Sequence, residues 1–158
     1  MGTGKSTIGE LVAERLRRPF VDGDDELTRR TGRTAHEIAE QDGIDALHEL
    51  EAEVAMDVLA REEPVVFASS ASTIVSPEVR DALRDRASVV WLHAPPVMLA
   101  RKLEEKKHRP ALGPDTVAAL ERMADERNPL FAEAADVDYD TFGHNRQDVA
   151  DAVVDALT

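Results

Sequence analysis

The sequence predicts a three-layer α/β fold, with helices packed on both faces of a parallel sheet. Three observations carry this prediction. Short strand-like runs at 19–21, 65–68, 88–92 and 136–140 alternate with stretches of helical periodicity, the pattern of parallel strands joined by crossover helices. The chain opens on Gly2-Thr3-Gly4-Lys5-Ser6-Thr7, the second half of a phosphate-binding loop, G-x-x-x-x-G-K-[ST], at the head of a helix. A pair of acids, Asp22 and Asp24, follows the first strand-like run, at the strand end where open α/β sheets take their ligands.

The loop is the most informative stretch. Its glycines let the backbone turn tightly and bring N–H groups close to an anion. The helix behind it, over about 5–17, has an apolar stripe of Ile8, Leu11, Val12 and Leu16 and aims its positive dipole end at the same point. Lys5 would reach the β- and γ-phosphates, and the Ser6 hydroxyl would ligate Mg²⁺. The first glycine of the motif would fall before Met1, and the strand that should feed the loop is not in the sequence. The expectation is therefore a P-loop type of parallel sheet whose first, central strand is missing. The natural protein would then carry about ten more residues, a typical strand plus the first half of the loop.

The elements follow in order. Pro19-Phe20-Val21 reads as a buried strand, ended by Asp22-Gly23-Asp24-Asp25. Asp22 and Asp24 could hold a magnesium shell and orient an attacking hydroxyl, while Asp25 and Glu26 serve the next helix N-terminus. That helix stops at Gly32. Thr34 caps another, with Glu37 in capping-box position, and Gly43 ends it. A long amphipathic helix spans about 44–61, with Leu47, Leu50, Val54 and Val58 on its apolar side. Val65-Val66-Phe67-Ala68 is a second buried strand. The loop after it, Ser69-Ser70-Ala71-Ser72-Thr73, has small residues that leave room for a ligand. Ser76 caps a helix that has Pro77 at its first position. Residues 88–92 form a third buried strand, and Pro95-Pro96 opens a helix to about 106. Lys106-Lys107-His108-Arg109-Pro110 is the most basic stretch of the chain. It reads as a lid, about 104–115, that brings Arg109 over a transferring phosphoryl group. A helix from Asp115 is broken at Asn128-Pro129, residues 136–140 give the last strand, and a final helix spans 146–157.

Composition narrows the function classes. The chain has 158 residues, 42% hydrophobic and 32% charged, which suits one globular domain with a real core. A net charge of −13 argues against a nucleic-acid or anionic-membrane surface, so no such partner is expected. There is no cysteine, which removes disulfides and thiolate chemistry and is compatible with a reducing cytoplasm. No apolar run reaches spanning length. No pair of the five histidines has metal-ligand spacing on a shared helix face.

Taken together, these residues resemble the shikimate kinases, small P-loop enzymes of the nucleoside-monophosphate-kinase type. The resemblance runs the whole length: G-T-G-K-S-T, the Asp22/Asp24 pair, Asp25-Glu26-Leu27 leading to Arg30-Thr31-Gly32, Arg109-Pro110, and Glu126-Arg127-Asn128-Pro129-Leu130-Phe131. It implies a five-stranded parallel sheet, ATP and Mg²⁺, and transfer to a hydroxyl of a small carbocyclic acid by a cytoplasmic monomer of aromatic amino acid biosynthesis. Position by position, Gly2, Thr3, Gly4, Lys5, Ser6 and Thr7 would bind ATP with Arg101 and Arg109. Asp24 would orient the hydroxyl, with Lys5 and Arg109 acting on the phosphates. Ser6 and Asp22 would hold magnesium, and Arg127 would pair with the substrate carboxylate. Residues 24–61 would form the substrate-binding helical segment, and 141–145 would border the adenine.

Two departures fall on the acceptor side. The family pattern G-E-x-x-F-R-x-x-E reads Gly43-Ile44-Asp45-Ala46-Leu47-His48-Glu49-Leu50-Glu51 here, placing His48 where an arginine grips the carboxylate. Histidine cannot make the bidentate fork, and one lost charged hydrogen bond costs roughly 1.5–3 kcal/mol, a factor of ten to over a hundred. The family's triple glycine reads Ser70-Ala71-Ser72, whose side chains would crowd the ligand and remove positive-φ freedom. The substrate-binding set is thus Asp24, His48, Ser70, Ala71 and Arg127, and the acceptor is shikimate or a related polyhydroxy acid. The Asp22-Gly23-Asp24 and serine-rich stretches also resemble gluconate kinases, so a sugar acid is the alternative acceptor. A nucleotide-binding protein without turnover is the alternative outside catalysis.

Overall fold

The computed structural model describes residues 2–104 and 115–158. Helix α1 (Lys5–Leu16) starts at Gly4, whose φ of 90° is open to glycine and closed to most side chains. Strand β1 (Phe20–Asp22) runs straight into α2 (Gly23–Thr31), because Asp22 ends the strand and caps the helix, accepting the N–H groups of Asp24 and Asp25 at 2.9 and 3.4 Å. Helix α3 (Ala35–Asp42) carries the expected capping box of Thr34 and Glu37, and Gly43 turns the chain into α4 (Ile44–Leu59). Strand β2 (Val66–Ala68) is followed by a 3-10 helix (Ala71–Val75), where the sequence reading expected a plain loop. Helix α5 (Pro77–Arg86) is capped by Ser76, and β3 (Val90–His93) and α6 (Pro96–Glu104) follow.

Helix α7 (Thr116–Ala134) corrects the expected break at Pro129: the proline lies inside the helix. It removes one backbone donor, but Phe131 stacks on Trp91 of β3 with centroids 5.6 Å apart and planes 13° from parallel. That contact anchors the turn beyond the proline, a tertiary effect outweighing local preference. Strand β4 (Val137–Asp140) and α8 (Arg146–Leu157) complete the described chain.

The strands form two parallel pairs. Residues Phe20, Val21 and Asp22 of β1 face Val66, Phe67 and Ala68 of β2. In the second pair Val90 through His93 face Val137 through Asp140. Among the described residues no strand joins the pairs. Between them lies a cleft of about 1090 Å³ bordered by β2 and β3, with walls from Ile8, Val12 and Val153 on one set of helices and Leu120, Met123 and Phe131 on α7. The three strands expected to be buried are half-buried instead: β1 is an edge, and β2 and β3 border the cleft.

The core is correspondingly in two parts. Leu27, Ile38, Leu47, Val54 and Val58 join α2, α3 and α4 into one helical cluster, with Val21 and Phe67 of the first strand pair against it. Ile8, Val12, Val149, Ala150 and Val153 bind α1 to α8, with Val66, Val90 and Leu92 against them. The first cluster fixes α2 and α4 beside the end of β1; the second fixes the head of α1 over the same edge.

Candidate active site

The head of α1 is built to meet an anion. Its first intrahelical bond is donated by Ile8 to the Gly4 carbonyl at 2.9 Å, so the amides of Lys5, Ser6 and Thr7 point out of the helix end. Gly2 and Gly4 both take positive φ, 77° and 90°, which folds the loop back over that end. A Cβ at Gly2 would stand in ordinary contact with Leu99 and Lys102 of α6, so α6 borders the loop on one side. Thr3 is buried, and its Oγ1 has no hydrogen-bond partner among the described residues.

The Ser6 hydroxyl donates to Asp22 Oδ2. This contact brings together two residues sixteen positions apart that the sequence reading assigned to one metal. Asp22 does double duty, since its other oxygen caps α2. A hydroxyl and a carboxylate oxygen at a helix N-terminus are hard donors of the kind Mg²⁺ takes alongside phosphate and water. Among the described residues no group of three or more His, Cys, Asp or Glu forms a metal cluster. Asp24 lies in the first turn of α2, its backbone carbonyl accepting the Thr28 hydroxyl at 2.9 Å.

Gly23 explains how the acids come close to the turn after β2. A Cβ there would stand 3.2 Å from the Ala68 carbonyl and 3.6 Å from the Ser70 amide. The missing side chain lets the head of α2 approach the end of β2. Ser70 has φ −61° and ψ 139°, ordinary extended backbone, and the only non-glycine residue with positive φ among those described is Arg17. The serines and alanine at 70–72 therefore sit on backbone that carries no positive-φ strain. Ser70 and Ala71 line the cleft, as does Arg127.

Arg127 is 8% exposed, and its Nε has no hydrogen-bond partner among the described residues. Burial draws its pKa below the usual arginine range, with the Glu126 and Glu51 carboxylates opposing. Such a cation needs an anion to complete it. His48 is half-buried on α4, one turn before Glu51. Arg101 is exposed on α6. Arg109 and most of the expected lid, 105–114, lie outside the described residues.

Three features had no local signal in the sequence. Lys102 of α6 lies by the loop, its Cβ 3.7 Å from where a Cβ on Gly2 would stand. The Arg146 guanidinium reaches toward Gly4, with Nε 3.9 Å from where a Cβ would stand. Ser72 donates to the buried carboxylate of Glu51. At the expected adenine border, Thr141 is tied to the His93 carbonyl through its amide and its hydroxyl at 2.8 and 3.1 Å, and Asn145 caps α8.

Comparison with known proteins settles the family. The shikimate kinase family model matches residues 1–158. The chain belongs to the shikimate kinase family. Its members are phosphotransferases with an alcohol acceptor, and they use ATP and Mg²⁺. A shikimate kinase of Symbiobacterium thermophilum is 36% identical over 160 residues, covering 99% of this chain and 91% of that protein. The structure of a shikimate kinase from Acinetobacter baumannii in complex with shikimate superposes with a TM-score of 0.93 at 30% identity, over 99% of this chain and 88% of that one. A gluconokinase from Sinorhizobium meliloti shares the fold with a TM-score of 0.68 at 22% identity, over 99% and 86% of the two chains. At that identity it speaks only for the fold.

Proposed function

We propose that this chain transfers the γ-phosphoryl group of ATP to a hydroxyl of shikimate, as a cytoplasmic monomer. The observation that carries the reading is the Ser6–Asp22 contact at the head of α1, which puts a magnesium-type donor pair where the helix end would take the phosphates. The A. baumannii relative, crystallised with shikimate, supports the acceptor. The cysteine-free sequence is compatible with the cytoplasm. Among the described residues no helix is long and apolar enough to cross a membrane.

The roles follow from position. The amides of Lys5, Ser6 and Thr7, with the glycines Gly2 and Gly4 and the side chain of Thr3, cradle the phosphates. Lys5 balances charge on the β- and γ-phosphates, and Arg101 and the lid Arg109 add to it. Ser6 and Asp22 would hold Mg²⁺, which would supply neutralisation of the phosphate charge. Asp24 accepts the hydrogen of the acceptor hydroxyl. As the hydroxyl oxygen bonds to the γ-phosphorus, the bond to the ADP oxygen breaks and the proton passes to Asp24 and on to solvent. Arg127 pairs with the acceptor carboxylate and so fixes which hydroxyl faces the phosphate. His48, Ser70 and Ala71 shape the rest of the acceptor pocket, within the helical segment 24–61 and the turn after β2.

A coupled assay of ADP release with Mg-ATP over shikimate, quinate and gluconate tests the reading. Shikimate should give the highest kcat/KM. Release with gluconate and none with shikimate would move the chain to the sugar-acid kinases. Nucleotide binding with no release on any acceptor would make it a binding protein.

A further inference from the structure

Two opposite charges are buried on the acceptor side without meeting. Glu51 on α4 is 7% exposed and Arg127 on α7 is 8% exposed, and both helices pack on the 3-10 helix that carries Ser72. Buried charges ordinarily pair. Among the described residues no ion pair links these two. The carboxylate of Glu51 instead accepts the hydroxyl of Ser72, itself 8% exposed, and Arg127 Nε has no hydrogen-bond partner among the described residues. Yet Glu51 is near enough to raise the proton affinity of Arg127.

We propose that Ser72 sets acceptor specificity by holding Glu51 away from Arg127, which leaves a guanidinium edge open to a carboxylate on the acceptor. This rests on the assignment of Arg127 to the acceptor site made above. The chemistry of the hydroxyl gives the arrangement a direction. A carboxylate only accepts, so the single Ser72 proton is committed to Glu51. Ser70 Oγ lies 3.3 Å from Ser72 Oγ, and with the Ser72 proton spent, Ser70 must be the donor of that pair. Ser70 lines the cleft, and its oxygen keeps its lone pairs for a hydroxyl of the ligand. Ser70, Ser72 and Glu51 form one ordered chain that favours a ligand bearing a carboxylate for Arg127 and a hydroxyl donor for Ser70.

The test is the ratio of kcat/KM for shikimate to that for its methyl ester, which lacks the negative charge. Ser72→Ala frees Glu51 to pair with Arg127 Nε. The ratio should fall tenfold or more, the worth of one charged hydrogen bond, through the KM of shikimate, with the KM of ATP little changed. Ser72→Thr keeps the hydroxyl and should keep the ratio. Adding Glu51→Gln to Ser72→Ala removes the competing charge and should recover most of the loss. A Ser72→Ala ratio within twofold of the parent, or an equal loss on ATP and on the ester, would overturn the proposal. Should Ser72→Ala fail to fold, Ser72→Thr and Glu51→Gln decide: both should keep the ratio, and a tenfold loss in either refutes it. If the parent protein phosphorylates no carboxylate acceptor, the proposed function has failed, and that is read before any variant is made.

Discussion

Asp22 gives the sharpest separation of structure from chemistry. One of its oxygens caps α2 through two amides, and the other receives Ser6. Asp22→Ala removes an N-cap, about 0.5–2 kcal/mol, and a negative charge at a helix N-terminus, about 0.3–1 kcal/mol. The sum is about 1–3 kcal/mol, and at roughly 2–4 °C per kcal/mol for a domain of this size, Tm should fall by about 2–12 °C. Asp22→Asn is different. Asparagine caps as well as aspartate, so only the charge contribution is lost, about 0.3–1 kcal/mol, or about 1–4 °C. Toward Mg²⁺, however, Asn is a neutral ligand in place of a charged one. Thermal denaturation of both variants, paired with a magnesium titration of ADP release, reads the two effects separately. The account predicts that Asp22→Asn is nearly as stable as the parent and needs at least tenfold more magnesium. An Asn variant with the parent's magnesium response, or an Ala variant with the parent's Tm, would refute the reasoning.

Other expectations follow from the same geometry. On the proposed role of Asp24 at the acceptor hydroxyl, Asp24→Asn should abolish transfer while nucleotide titration still shows near-normal ATP affinity; normal turnover would remove it from the site. His48→Arg should lower the KM of shikimate by tenfold or more, the gain of one charged hydrogen bond, and steady-state kinetics check it. Gly9→Ala should destabilise by about 1–3 kcal/mol through overpacking, since the new Cβ would stand 2.6 Å from a ring carbon of Phe20; urea denaturation measures this, and Phe20→Leu should relieve part of it. Hydrogen bonds from Arg29 and Arg30 hold the Glu26 carboxyl down to about 2 from its usual 4.5. A depressed carboxyl stabilises the fold above its unfolded value and loses that contribution as pH falls toward the folded one. Stability should therefore drop between pH 4.5 and 2, and Glu26→Gln should flatten that drop in denaturation curves taken across the window.

Features governed by neighbouring residues were legible in the sequence. The capping box of Thr34 and Glu37, the Ser76-Pro77 start of α5 and the bounds of α8 each rest on side chains within a turn of the backbone they serve. The phosphate loop and the acids after β1 were readable because the motif encodes its own conformation. Contacts between distant segments decided the rest. Helix α7 passes through Pro129 because Phe131 finds Trp91, forty residues earlier. Glu51 and Ser72 lie twenty-one positions apart and meet only once α4 and the 3-10 helix pack. The half-burial of β2 and β3 follows from the cleft between the strand pairs, which no local hydrophobic pattern reports. At positions 70–72 the sequence shows two serines and an alanine but not what they touch. The backbone there takes no positive φ, and one of the hydroxyls engages a buried carboxylate.

The central claim is that the head of α1 and the acids after β1 bring a nucleotide phosphate to a hydroxyl of a carbocyclic acid. Phosphorus NMR of a mixture of the protein, Mg-ATP and shikimate tests this most directly. The account predicts a phosphate monoester resonance that grows in step with ADP and is absent without shikimate. Intact ATP after prolonged incubation, or ADP appearing with free phosphate and no monoester, would contradict it.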